Sequence, residues 1–299
     1  MNKQDLAAQC WIGLPGTELD EELIDLLTRF TPGGVVLFSR NLTPEASQIR
    51  GLIGRLQEIA RRSLGKPMAI AIDQEGGTVR RLPPPFDQHP DASSYGPEGE
   101  EAVFRWGLDQ GRELAGLGLT MNLAPVLDIN TLGQEGVMSR RAWGTDPETV
   151  TRLGLAAIRG LRAGGVAACA KHFPGIGHSS LDSHLARPIY ERRLEEMEAC
   201  ELLPFQAAVA EGVEAIMVSH LLYPALDRDR PASLSEAVMR GLLRKKMGFE
   251  GLILSDDLQM GAITKELDPK EAALAALGAG ADRVLICQGL EPFRRLVGA

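Results

Sequence analysis

The 299-residue sequence predicts a single (β/α)₈ barrel. Three observations predict it: eight short apolar runs, helix-period segments between them, and ionisable residues gathered at the C-terminal ends of the runs. The runs are QCWIGL (9–14), GVVLF (34–38), MAIAID (68–73), MNLAPVLDI (121–129), AACAKHF (167–173), AIMVSH (215–220), GLILSDD (251–257) and RVLICQ (283–288). Continuous apolar strands of this kind suit a parallel sheet covered on both faces. Between them, Ile49, Leu52, Ile53, Leu56 and Ala60 fall on one helix face, as do Val150, Leu153, Gly154, Ala157, Ile158 and Leu161. Strand and helix therefore alternate. An open doubly wound sheet is the competing reading, but eight units in fewer than 300 residues fit a closed barrel better. Only GLEPFRRLVGA follows the eighth run, which predicts a short closing helix.

No Ser-, Gly- or Pro-rich linker divides the chain, so residues 1–299 are expected to form one domain. The formal net charge is −8 and no Lys/Arg block occurs. Such a surface lacks the electrostatic footprint of a nucleic-acid or anionic-membrane binder, and the expected partner is a small molecule. The N-terminus has no basic start followed by a long apolar core, and no apolar run approaches the ~20 residues of a membrane span. Cys10, Cys169, Cys200 and Cys287 are scattered and form no C-x-x-C pair. Reduced thiols, a cytoplasmic location and a monomer are expected.

Polar residues interrupt the strands at their C-terminal ends: Asp73 and Glu75 in the third, Asp128 in the fourth, Lys171 and His172 in the fifth, His220 in the sixth, Asp256 and Asp257 in the seventh. Buried in a core, each would cost several kcal/mol without partners. At the C-terminal rim of a barrel they are placed for chemistry. Four of the five histidines, His172, His178, His184 and His220, lie around the loop after the fifth strand. They permit either a metal site or acid/base catalysis. No H-E-x-x-H or tight ligand pair occurs, so no metal or other cofactor is predicted. In DSH (182–184), Asp182 and His184 point to one side of an extended segment, so the carboxylate can hold the imidazole's tautomer; a turn cap beside a surface histidine is the plainer reading. Asp256 and Asp257 offer a nucleophile at a rigid strand tip, or a helix cap.

The segment KHFPGIGHSSLDSH (171–184) resembles the K-H-F-P-G-x-G-x(4)-D-S-H signature of the β-N-acetylglucosaminidases of glycoside hydrolase family 3, the NagZ type. VLFSRN (36–41), AIDQEGGTVRRL (71–82), NLAPVLDI (122–129), SRRAWGTDP (139–147), MVSHLLYPALD (217–227) and GFEGLILSDDLQMGAI (248–263) extend the resemblance over nearly the whole chain. It implies a retaining glycosidase in which Asp256 attacks the anomeric carbon and His184, paired with Asp182, serves as acid/base. It further implies sugar-binding roles for Asp73, Arg81, Arg141, Lys171 and His172, and an N-acetylglucosamine-containing muropeptide fragment as substrate. Thr78, Ile176, His178 and the RAWG sequence depart from the family pattern, which bears on the pocket beyond the first sugar. Other readings stay open: a phosphorylase or β-glucosidase of the same family, attack by the substrate's own acetamido group, or a silent sugar-binding barrel.

Overall fold

In the computed structural model, which describes residues 2–179 and 189–299, eight parallel strands close in sequence order into a barrel. They are β1 (Cys10–Gly13), β2 (Gly34–Leu37), β3 (Ala69–Ile72), β4 (Met121–Asn122), β5 (Ala167–Phe173), β6 (Ala215–Val218), β7 (Leu252–Asp257) and β8 (Arg283–Ile286), with β8 pairing back onto β1. All eight lie within the apolar runs read from the sequence. The helical periodicities are also realised, as Ala46–Leu64 and Pro147–Gly164.

The fourth strand is shorter than its run of 121–129. It ends at Asn122, and Val126 then makes an isolated bridge to Lys171. Pro125 has no N–H to give to a ladder, so the segment stays extended beside β5 without continuous pairing.

Strand side chains alternate between two cores. Outward residues such as Ile12, Val35, Ile70, Ile216, Ile253 and Val284 join the large cluster under the helices. Inward residues Trp11, Val36, Ala71, Met121, Cys169, Met217, Leu254 and Leu285 fill the lower barrel as a second cluster. Two residues further along the same parity stand Phe38, Asp73, Leu123, Lys171, Asp256 and Cys287, all lining one cavity above that plug. Parity thus delivers three charged side chains, Asp73, Lys171 and Asp256, to the axis.

Caps and close packing hold the outer ring. Asp20 and Asp146 accept the Leu23 and Thr149 backbone N–H groups at 2.8 Å, satisfying otherwise orphan donors at helix starts. Helix Gly99–Leu117 packs backbone to backbone on Pro147–Gly164 through Gly107, Gly111, Gly160 and Gly164. A Cβ on Gly160 would lie 2.3 Å from the Phe104 carbonyl oxygen, and one on Gly164 2.6 Å from the Gly111 Cα. Among the described residues no helix is long and apolar enough to cross a membrane.

The four cysteines are unpaired, with Cys10, Cys169 and Cys287 buried; burial pushes the Cys10 and Cys169 thiols up to about 12. Replacing Gly160 by Ala forces the two helices apart and should lower stability by about 1–3 kcal/mol, read by denaturant unfolding. An unchanged midpoint would show that the helix pair tolerates separation.

Candidate active site

The cavity at the C-terminal end of the barrel has a volume of about 660 Å³. That lies within the range of small-ligand sites. Its wall on the β3–β5 side is a charge network. Lys171, on the inward parity of β5, is 2% exposed and its Nζ lies 2.7 Å from Asp73 Oδ1 and 2.7 Å from Glu75 Oε1. Glu75 in turn receives Arg141 twice, Nε to Oε2 at 2.8 Å and Nη2 to Oε1 at 2.7 Å. Arg81 Nη2 stands 3.7 Å from Asp73 Oδ2.

Burial opposes ionisation of Glu75, but Arg141 and Lys171 beside it outweigh that and hold its carboxyl well below the ordinary range. Burial likewise disfavours charge on Lys171, and Asp73 and Glu75 overcome it, so its pKa is raised. The bidentate fork on Glu75 makes Arg141 a permanent cation.

His172 is oriented from behind. Its Nδ1 is 2.7 Å from Asp128 Oδ2, and Arg141 Nη2 lies 3.5 Å from Nε2. Asp128 is fully buried and also accepts the backbone N–H groups of His172 and, at 2.8 Å, Ile176. One carboxylate therefore fixes both the imidazole and the turn that follows β5. Gly177 lets that turn pass against β4's extension: a Cβ there would lie 1.8 Å from the Ile129 carbonyl oxygen.

Opposite, β7 presents Asp256. Its Oδ1 accepts the Asp257 N–H at 2.7 Å. Burial pushes its pKa up, yet His220, His172, the Asp257 N–H and Lys171 together bring it below the ordinary Asp value. Asp257 behaves oppositely: burial and the neighbouring Asp256 charge raise it, against bonds from the Gln259 and Cys287 N–H groups. Adjacent carboxyls are thus driven apart in acidity, Asp256 being the more readily ionised.

Asp73, Arg81, Arg141, Lys171, His172 and Asp256 are accordingly brought into one cavity. Asp182 and His184 lie outside the described residues. Glu75 and Asp128 were visible in the sequence as polar strand-end residues without a role; their partners lie 66–96 and 44 residues away, which spacing does not reveal. Ser233 gave no signal. Among the described residues no three His, Cys, Asp or Glu side chains gather to hold a metal ion.

Residues 8–297 match the family described as the glycosyl hydrolase family 3 N-terminal domain. The chain belongs to glycoside hydrolase family 3. It is 39% identical over 290 residues to a β-hexosaminidase of Methylococcus capsulatus, covering 96% of this chain and 84% of that protein. Its fold superposes with a TM-score of 0.95 and 38% identity on a family 3 β-N-acetylglucosaminidase from Paenibacillus sp. str. FPU-7, covering all of this chain and 57% of that one. NagZ from Neisseria gonorrhoeae, solved in complex with N-trifluoroacetyl-D-glucosamine, superposes with a TM-score of 0.88 and 33% identity over 97% of this chain and 84% of that one. The family 3 barrel is a glycoside hydrolase fold, and the cavity is its candidate active site.

Removing Glu75's charge leaves Lys171 and Arg141 short of one buried carboxylate. Glu75→Gln should cost about 3–5 kcal/mol in denaturant unfolding at pH 7. Because Glu75's pKa is depressed on folding, its contribution is present above the unfolded value of about 4.3 and lost as pH falls through the folded value. The wild-type and Glu75→Gln stability curves should therefore converge as acid is added; parallel curves would remove Glu75 from the network's energetics.

Proposed function

We propose that this protein is a retaining exo-β-N-acetylglucosaminidase. The observation that carries the reading is the placement of an ionised Asp256 across a 660 Å³ cavity from a wall of hydrogen-bonding charges on β3–β5. Such a wall suits the hydroxyls and acetamido group of one sugar ring. Asp73 accepts adjacent hydroxyls, while Arg81, Arg141, Lys171 and His172 donate to hydroxyl and acetamido oxygens, each charge-assisted bond contributing about 1.5–3 kcal/mol. The Arg81 Nε–H is buried without a protein partner among the described residues, consistent with a donor reserved for substrate.

With Oδ1 of Asp256 occupied by the Asp257 N–H, Oδ2 is the attacking atom. It bonds to the anomeric carbon as the glycosidic C–O bond breaks, and the departing oxygen keeps the electron pair and takes a proton from His184. Asp182 holds that imidazole. Water then attacks the same carbon, His184 recovers a proton, and the ester bond breaks to regenerate the Asp256 carboxylate. Two displacements retain configuration. A β-N-acetylglucosaminyl unit on a muramic acid derivative is the proposed natural substrate, met in the cytoplasm by a monomeric enzyme.

Chromophore release from p-nitrophenyl β-N-acetylglucosaminide, with the β-glucoside alongside and with phosphate present or absent, tests the substrate class. Fast release from the acetamido sugar alone, unaffected by phosphate, is expected. Preference for the glucoside, or dependence on phosphate, would move the enzyme to another branch of the family. Asp256→Asn should lower kcat by about 10⁴-fold while sugar binding persists; loss of binding instead would place Asp256 in recognition.

The pH profile separates the two candidate proton donors. Asp256 ionises below the ordinary value near 3.9, so its acid limb in kcat/KM should fall below about pH 4. The alkaline limb should belong to His184 and vanish in His184→Ala. An alkaline limb that survives that substitution would assign the acid to a carboxyl of raised pKa, for which Asp257 is placed.

A further inference from the structure

We infer that His220, backed by Ser233, is the positioning residue of the reactive carboxylate, anchoring Asp257 by its carbonyl so that the Asp257 N–H holds Asp256 with Oδ2 turned into the cavity. This deepens the proposed glycosidase reading and rests on it. His220 follows β6 and is 1% exposed. Its Nε2 lies 2.9 Å from the Asp257 carbonyl oxygen and its Nδ1 2.7 Å from Ser233 Oγ. A carbonyl only accepts, so Nε2 carries the proton and donates, and Nδ1 receives the Ser233 hydroxyl proton. Ser233 is fully buried and anchored in turn, its N–H donating to the Ser219 carbonyl oxygen at 3.0 Å.

The backbone here requires such a fastening. The β7–β8 register shifts between Leu254 and Asp257, so the ladder does not run regularly through the reactive residue. Ser255 Oγ also accepts the Leu285 N–H, at 3.1 Å. Side chains brace this irregular stretch on both flanks, alongside the Leu258 N–H, which donates to the Leu285 carbonyl oxygen at 3.0 Å. From β8, the Cys287 N–H donates to Asp257 Oδ1 at 3.1 Å, and Gln259 Oε1 accepts the Gln288 N–H at 2.7 Å. From β6, His220 holds the Asp257 carbonyl.

On the other side of the Asp257 Cα, the N–H of the Asp256–Asp257 peptide donates to Asp256 Oδ1 at 2.7 Å. Movement of Asp257 about its own backbone torsions would therefore shift that N–H and the carboxylate it orients, and His220, together with the Met260 N–H on the same carbonyl at 3.0 Å, opposes it. None of Asp73, Arg81, Arg141, Lys171 or His172 bonds to His220 or Ser233 in this arrangement. Sugar binding and nucleophile alignment are mechanically separate, so the effect should fall on kcat.

The test uses p-nitrophenyl β-N-acetylglucosaminide with the parent enzyme and three variants, His220→Ala, His220→Gln and Ser233→Ala, each with its melting temperature. A misplaced nucleophile should cost up to about 10²-fold in kcat for His220→Ala and roughly tenfold for Ser233→Ala, with KM within about twofold. His220→Gln, whose amide N–H can reach the same carbonyl, should recover most of the loss. Equal losses in the Ala and Gln variants, a Ser233→Ala enzyme with parental kcat, or losses that track KM or melting temperature would overturn the inference. A parent enzyme inactive on this substrate would instead overturn the glycosidase reading and take the inference with it.

Discussion

The ammonium of Lys171, 2% exposed on the inner face of a closed barrel, is the constraint on which the site depends. An isolated charge there would be untenable, and two carboxylates 2.7 Å away answer it. Glu75, placed between Lys171 and Arg141, then fixes the arginine, whose Nη2 stands beside the His172 imidazole. Asp128 completes the chain from behind. The loops after β3 and β4 and the end of β5 are thereby locked into one polar wall. Buried ion pairs are poor sources of stability compared with apolar packing. Here the network's product is orientation: Asp73, Arg81 and His172 reach the cavity already aimed, as binding of a small polar ligand demands.

Barrel closure supplies the other half of the geometry. Because side chains alternate along a strand, only every second residue faces the axis. On β7 that parity runs Leu254 inward, Asp256 inward, while Asp257 turns to bond the β8 backbone. Both aspartates border the cavity, and strand parity together with the β8 bond to Asp257 gives them different surroundings. Their environments then separate them chemically, with positive groups ahead of Asp256 and the Asp256 charge itself beside Asp257. Below them, the plug of Trp11, Met121, Met217 and Leu254 closes the barrel floor, so the ionisable layer has one open side.

Strand identity, helix alternation and the gathering of Asp73, Lys171, His172 and Asp256 were legible in the sequence because each rests on local pattern. Apolar runs mark strands, and a charged residue at the end of such a run marks the rim. Arg81 and Arg141 came only from family resemblance, since an arginine in an irregular loop has no periodicity to place it. The fourth strand was read too long because Pro125 sits in an apolar extended stretch whose composition is that of a strand but whose hydrogen-bonding capacity is not. Glu75, Asp128 and Ser233 were opaque for a further reason. Their roles are defined by partners that only closure brings near, such as Lys171 for Glu75 and His220 for Ser233.

The two sides of the cavity differ in how they are stiffened, and that difference follows from what each must do. The β3–β5 wall is held by ion pairs, whose charged groups retain unused donors and acceptors facing the cavity; holding and exposing are compatible there. The β6–β8 side cannot be built that way, because a cation paired directly with Asp256 would quench the oxygen that has to react. Its order comes instead through the backbone: His220 and Cys287 grip Asp257, and Asp257's own N–H orients Asp256. A carboxylate oriented by a peptide N–H on one oxygen keeps the other uncommitted, so rigidity and nucleophilicity coexist in a single side chain.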